Sequence, residues 1–456
     1  MANQDPKELF LSTTPTRLFF TAALPGAVSM FASSLYDLLD GVLVGQLAGH
    51  TAFAAMNLSM PFVILLFAAG DLVGVGSSVP IAIALGAGED ERANNVFTCA
   101  VLALLVLGGA LGAVMWVAAP AMMALMGAEG ELAEQAVVIL RTYAACAAVS
   151  SMMFAVDNFF RLCGKIGHSL ALNLAMAATG AVLEVVFIVF LHMGVFGAAL
   201  GYSLAMVICV VVGMVPFALG RHKLRFVKPH FTADLIGEIV TAGSPAFLNN
   251  VAGRVTQVMF NASLLALGGE DAVAVYGIVM YTTGIWFSFT YGIGDALQPS
   301  VGYNLGAGRP DRVLALEKRI FASIIVLSLG TMALMALFPT QLTALFMANA
   351  PEHIVELARP AFRFVSIAYL VRWLPMCTQM FFTAVEKPKR ASVLSVVIVL
   401  IAPLSMLFLL QPLGLTGLWL NLAGASVVSS IVAGVMLVGL VRELRAPGGE
   451  NGRARL

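Results

Sequence analysis

The sequence predicts an all-α integral membrane protein with twelve transmembrane helices. These form two six-helix bundles related by a pseudo-two-fold along the membrane normal. Three observations predict it. Of the 456 residues, 60% are hydrophobic and only 11% charged, with a mean hydropathy of +0.94, whereas soluble domains carry about a quarter charged residues. Apolar stretches of the roughly 20 residues that a bilayer requires recur along the whole chain. The first half also resembles the second at a fixed interval of 220 residues.

The opening stretch, MANQDPKELFLSTTPTR, is polar and mixed in charge. It lacks the basic region and short apolar core of a cleaved leader, so the first apolar segment is expected to be a permanent span. Reading between polar or Gly/Pro-containing breaks places segments near 18–46, 52–85, 94–124, 133–161, 169–191 and 195–219. The second half gives 235–268, 271–304, 318–347, 354–384, 391–411 and 416–441. Lys7 and Arg17 precede the first segment. Arg92, Arg161 and Lys165, then Arg221, Lys223, Arg225 and Lys228, follow the even-numbered ones. Arg309, Arg312, Lys318, Arg319, Lys387, Lys389 and Arg390 continue the pattern, as do Arg442, Arg445, Arg453 and Arg455. The odd loops are almost free of positive charge, so the even loops and both termini are expected in the cytoplasm.

The shift of 220 lays LGAGEDERA (85–93) over LGAGRPDRV (305–313), Pro25 over Pro245 and Gly49 over Gly269. A repeat of six helices enters the membrane twice from the same side, which makes the halves parallel repeats. The expected organisation is an N-terminal bundle over 1–220, a cytoplasmic linker over 221–234, a C-terminal bundle over 235–445 and a tail over 446–456. Facing parallel bundles are a common transporter plan, with the cargo handled between them. No channel-filter sequence is present. The six histidines lie near helix ends or in loops, so no metal or catalytic cluster is expected and the chain reads as a non-enzyme without cofactors. The five cysteines stand singly in apolar segments and read as packing residues.

Charges inside the spans carry the functional reading. Asp37, Asp40, Asp71, Asp157, Glu184, Arg254, Asp295 and Arg372 all fall there, each costing about 2.5–3.5 kcal/mol at mid-bilayer. Asp37 and Asp40, in LYDLLDGVLVG, share one helix face. Two carboxylates that close favour a shared proton near neutral pH, and with backbone oxygens they can equally hold Na⁺. Glu184 has no basic neighbour in its own helix. The paired prolines, Pro25 and Pro245, are candidate bend points for rocking.

The first-helix stretch LYDLLDGVLVGQLAG, with GDALQPSVGYNLGAGRPDRV, NFFRLCGKIG and FFTAVEKPKRA in the same order, resembles the multidrug and toxic compound extrusion (MATE) family over about 15–445. The resemblance implies export of cationic or amphipathic organic compounds by antiport with H⁺ or Na⁺. It carries a first-helix aspartate onto Asp40 and a fourth-helix asparagine onto Asn158. The fifth-helix acid is Glu184, where the family commonly has aspartate, and the asparagine one turn earlier is Gly180. The seventh-helix glutamate of sodium-coupled relatives is replaced within GSPAFLNNVAGRV, which favours H⁺ over Na⁺. Cation coupling is therefore assigned to Asp40, Asp37, Glu184 and Asn158, with Na⁺ the alternative at Asp40. Substrate contact is assigned to Asp71, Asp295, Arg254, Tyr36, Met153, Phe154, Trp286, Tyr291 and Met376. Met and aromatic side chains give an adaptable lining for organic cations. Asp295 is expected either to attract a cationic cargo or to pair with Arg254. The expected setting is the bacterial inner membrane, as a monomer in contact with lipid, with small organic molecules and no nucleic acid as partners. A major-facilitator-type transporter, a lipid or lipid-linked saccharide flippase, and a membrane scaffold are the rival readings.

Overall fold

The computed structural model of the chain describes residues 7–44, 47, 50–347 and 351–445, and no β-strand occurs among them. In a bilayer each backbone N–H and C=O must be satisfied within its own segment, which leaves the helix as the form open to apolar stretches of this length. Helix occupies each of the twelve apolar segments.

The N-terminal lobe consists of α1 (Pro15–Leu43), α2 (His50–Ala87), α3 (Asp90–Leu125), α4 (Gly130–Ser150), α5 (Met153–Leu162), α6 (Ile166–Val185) and α7 (Gly194–Ala218). The C-terminal lobe opens with α8 (Ala233–Gly306), a pair of helices meeting at Gly269. Gly269 has φ of 66° and ψ of −163°, a conformation that side chains resist and glycine adopts freely. There follow α9 (Pro310–Leu337), α10 (Pro339–Phe346), α11 (Glu352–Ile367), α12 (Trp373–Ala384), α13 (Pro388–Val396), α14 (Ala402–Leu410) and α15 (Gly414–Arg445).

Among the described residues, nine stretches are long and apolar enough to cross a membrane, one of which, Pro388–Leu444, covers two of the expected segments. The stretches 233–268 and 352–384 do not qualify. The first carries Asn249, Asn250 and Arg254, and the second is interrupted at Ala368–Leu370 and carries Arg359, Arg363 and Arg372. The fourth segment, expected as one helix, is likewise broken between α4 and α5. These two breaks correspond: α5 begins at Met153 and α12 at Trp373, 220 residues apart. The ninth begins earlier than expected, at Pro310 instead of near 318, because Pro310 and Asp311 suit a first helical turn.

Large apolar side chains face outward at helical spacing, as with Phe20, Leu24 and Val28 on α1 and Ile431, Val435 and Val438 on α15. On a soluble protein such stripes would demand a partner; here lipid covers them. The five cysteines are free, four of them buried.

The lobes meet chiefly along α1, α2 and α8. At the face of the even loops the backbones touch: a methyl at Gly86 would overlap the Tyr303 carbonyl, and one at Gly306 the Ile83 carbonyl. Polar contacts reinforce this seal. Arg92 bridges to Glu238 at 2.8 Å. Ahead of α1, the carbonyl of Phe10 accepts from Asn304 Nδ2 and from an Arg312 amino group, both at 3.1 Å. The Phe10 ring rests on Tyr303. The segment preceding each lobe thus crosses to the other, since His230, ahead of α8, exchanges two hydrogen bonds with Asn95.

Candidate functional site: an interlobe cavity and a separate buried acid pair

Between the lobes lies a cavity of about 820 Å³. Its size suits a drug-sized molecule. Of the residues expected to contact cargo, Asp71, Asp295, Arg254, Met153, Phe154, Tyr291 and Met376 line it. Two do not. Trp286 is fully buried, its Nε1 donating to Ser328 Oγ at 3.0 Å and its ring edge-on to Tyr369. The second is Tyr36, buried inside the N-terminal lobe, where its hydroxyl donates to Glu184. The indole and the phenol each have a polar tip that needs a partner once buried, and each has found one inside its own lobe.

Tyr36 belongs instead to the acid cluster. Asp40 on α1 is 7% exposed and Glu184 on α6 0%, and Asp40 is the charged neighbour of Glu184. Two interacting carboxyl groups out of water favour sharing a proton. Glycine makes the room. A methyl at Gly180 would overlap the Tyr36 hydroxyl, and one at Gly201 would lie 2.8 Å from the Glu184 nitrogen. Tyr202 stacks on Tyr36 with ring centres 5.5 Å apart, and lines the cavity on its other side. The cluster is therefore one ring away from the cavity wall.

Asn158, expected beside these acids, lines the cavity and donates to the Phe154 carbonyl of its own helix at 3.1 Å. Asp37 lies in α1, but its side chain falls outside the described residues. Arg254 donates to Gln257 at 3.0 Å, so the expected pairing with Asp295 is absent among the described contacts. Asp295 has Arg161, Asp157 and Asp71 as its charged neighbours instead, and Asn250, also on the cavity wall, donates to the Ala246 carbonyl at 3.2 Å.

Sequence reasoning noticed Asp157 without giving it a role. It forms an ion pair with Arg161 at 2.5 Å, accepts from Asn173 Nδ2 at 2.8 Å and from the Ser169 hydroxyl, and lines the cavity. The i, i+4 spacing of an acid and a base in DNFFR was the available signal. Gly180 stood out in the sequence only as a departure from the family's asparagine; its fit to Tyr36, and that of Gly201 to Glu184, needed the fold.

The MatE family profile matches this chain twice, over residues 25–186 and 245–407. The multidrug export protein MepA of Staphylococcus haemolyticus (strain JCSC1435) is 25% identical over 415 residues, 90% of each chain. MepA of Staphylococcus aureus (strain NCTC 8325 / PS 47) is 24% identical over 428 residues, 92% of this chain and 93% of its own. Among solved structures, an outward-facing multidrug resistance MATE family transporter of the MOP superfamily superimposes with a TM-score of 0.91. The identity is 22%, over 98% of this chain and 100% of that one. A MOP superfamily transporter from Pyrococcus furiosus gives a TM-score of 0.90 at 22% identity, with the same coverage.

Proposed function

The chain belongs to the MatE family, and on that premise we propose that it is a secondary active exporter of amphipathic organic compounds, working by antiport with H⁺. The observation that carries the coupling reading is the Tyr36–Glu184–Asp40 cluster, which is buried, interlinked and separate from the cargo cavity. A proton lodged between two carboxyl groups is removed when either is drawn to another partner. A rocking lobe supplies that change. The Tyr36 hydroxyl, as a donor to Glu184, fits a carboxyl that cycles between proton-bound and ionised states.

The cargo is taken in the interlobe cavity, where Met153, Phe154, Tyr291 and Met376 supply polarizable and aromatic surface and Asp71 with Asp295 supplies negative charge. The seal at the even-loop face corresponds to a state closed to the cytoplasm, if those loops lie there as the positive charges argue. The twofold family match sets aside the major-facilitator reading.

The test is dye efflux from vesicles under an imposed pH gradient or an imposed sodium gradient, comparing wild type with Asp40→Asn and Glu184→Gln. The pH gradient is expected to suffice, and both variants to slow the flux at least tenfold. Flux driven by sodium alone would overturn the choice of ion, and unaffected variants the assignment of the site.

A further inference from the structure

The cavity wall carries charges of both signs. Its acids are Asp71, Asp157 and Asp295, and the last of these has the Asp157–Arg161 pair and Asp71 for charged neighbours. On the C-terminal lobe stand Arg254 and Arg372, and among the described residues neither has a carboxylate within ion-pair distance. Arg372 is the more constrained. Its guanidinium lies over the Trp286 ring, 5.4 Å from the centroid, and its Nε is buried with no hydrogen-bond partner. Trp286 is itself fixed by Ser328.

Arg372 also occupies the N-cap position of α12, whose first turn has no side-chain cap. Pro375 and Met376 of that turn line the cavity. The Leu374 N–H is bonded to the Val371 carbonyl at 3.0 Å and Pro375 has no N–H, so the positive charge at this helix start is that of the arginine. The internal repeat sharpens the point. The matching break in the N-terminal lobe, ahead of α5, carries Met152 in the position of Arg372. One lobe therefore presents a neutral helix start to the cavity and the other a charged one with unused donors.

We infer that Arg372, with Arg254, forms an anion-accepting pole in the cavity, so that the favoured cargo is an amphipathic zwitterion whose carboxylate meets these arginines and whose cationic end meets Asp71 and Asp295. This rests on the interlobe cavity being the cargo site. A guanidinium held by an aromatic face keeps its edge free for a carboxylate in a bidentate geometry. A cargo with a positive group alone leaves those buried donors unsatisfied.

The probes are a xanthene dye with a free carboxylate and its ethyl ester, which share one ring system and differ in that charge. Binding of each to purified protein is read by fluorescence anisotropy without any ion gradient, so a failure of the coupling mechanism leaves this measurement intact. Wild type is expected to prefer the acid over the ester, and Arg372→Gln to lower that preference at least tenfold. Arg372→Lys, which keeps the charge, should retain most of it. Arg254→Gln should lower the preference less, and serves as the second variant should Arg372→Gln fail to fold. A wild type that favours the ester, or a ratio that neither glutamine variant moves, overturns the proposal. A short-chain anionic phospholipid added as competitor is expected to leave the acid dye bound. Displacement would assign the pole to a lipid headgroup and also overturn it.

Discussion

Glu184 is a methylene longer than the aspartate that the resemblance implied, and the residues around it are matched to that length. Gly180 and Gly201 leave the space, and Tyr36 supplies the donor. Gly180→Ala adds one methyl, yet it is expected to slow gradient-driven transport about as much as Tyr36→Phe, because each breaks the Tyr36–Glu184 bond. A Gly180→Ala protein that transports at the wild-type rate would show that the bond has no part in coupling. Asp157 tests a different feature. It and Arg161 are 16% and 9% exposed at their side chains, and removing one partner of a buried pair leaves the other charge uncompensated. Asp157→Asn is expected to destabilise the protein by about 3 kcal/mol, read from thermal unfolding in detergent. Arg161→Met in addition should recover part of that loss. Asp40 and Glu184 were legible in the sequence because a carboxylate in an apolar run is conspicuous. Tyr36 was assigned to the wrong place because a tyrosine in such a run reads equally as cavity lining or as buried partner.

The helices are where the lobes seal. Gly86 on α2 and Gly306 at the end of α8 allow backbone to meet backbone across the even-loop face. Overpacking there cannot be absorbed by side-chain rotation, since the opposing atoms are carbonyls. Gly86→Ala and Gly306→Ala are each expected to hold that face apart. A cysteine reporter at its rim should then react with a membrane-impermeant thiol reagent several-fold faster than in the otherwise identical parent. Unchanged reactivity would mean the lobes close without this contact. Element positions were readable from hydropathy, and the break at Gly269 from its place at a predicted loop. The breaks ahead of α5 and α12 were not, because no proline or glycine marks 151–152 or 368–372. The apolar pattern simply runs through them. Both breaks serve the cavity, since Met153 and Arg372 beside them line it.

At the scale of the whole molecule, the repeat predicts two matched lobes, while function resides in their differences: the acid pair in one and the unpaired arginines in the other. The seal carries its own titratable group. Glu386, in the loop after α12, is partly buried and faces Glu238, with Arg92 and Lys387 opposing; burial first and Glu238 second push it up to about 7. A carboxyl raised above its free value of about 4.3 favours the folded state fully below that value. The advantage is lost as pH rises through about 7. Thermal stability in detergent is therefore expected to fall as pH rises through about 7. Glu386→Gln should reduce that fall, and a wild-type stability that does not change over this range would contradict this. The most direct test of the account is proton release on cargo binding, followed with an indicator dye in weakly buffered solution with purified protein. The account predicts that a saturating amphipathic cargo releases protons from wild type, and that release is lost in Asp40→Asn and in Glu184→Gln. Cargo that binds without releasing protons, or release that survives both substitutions, would contradict it.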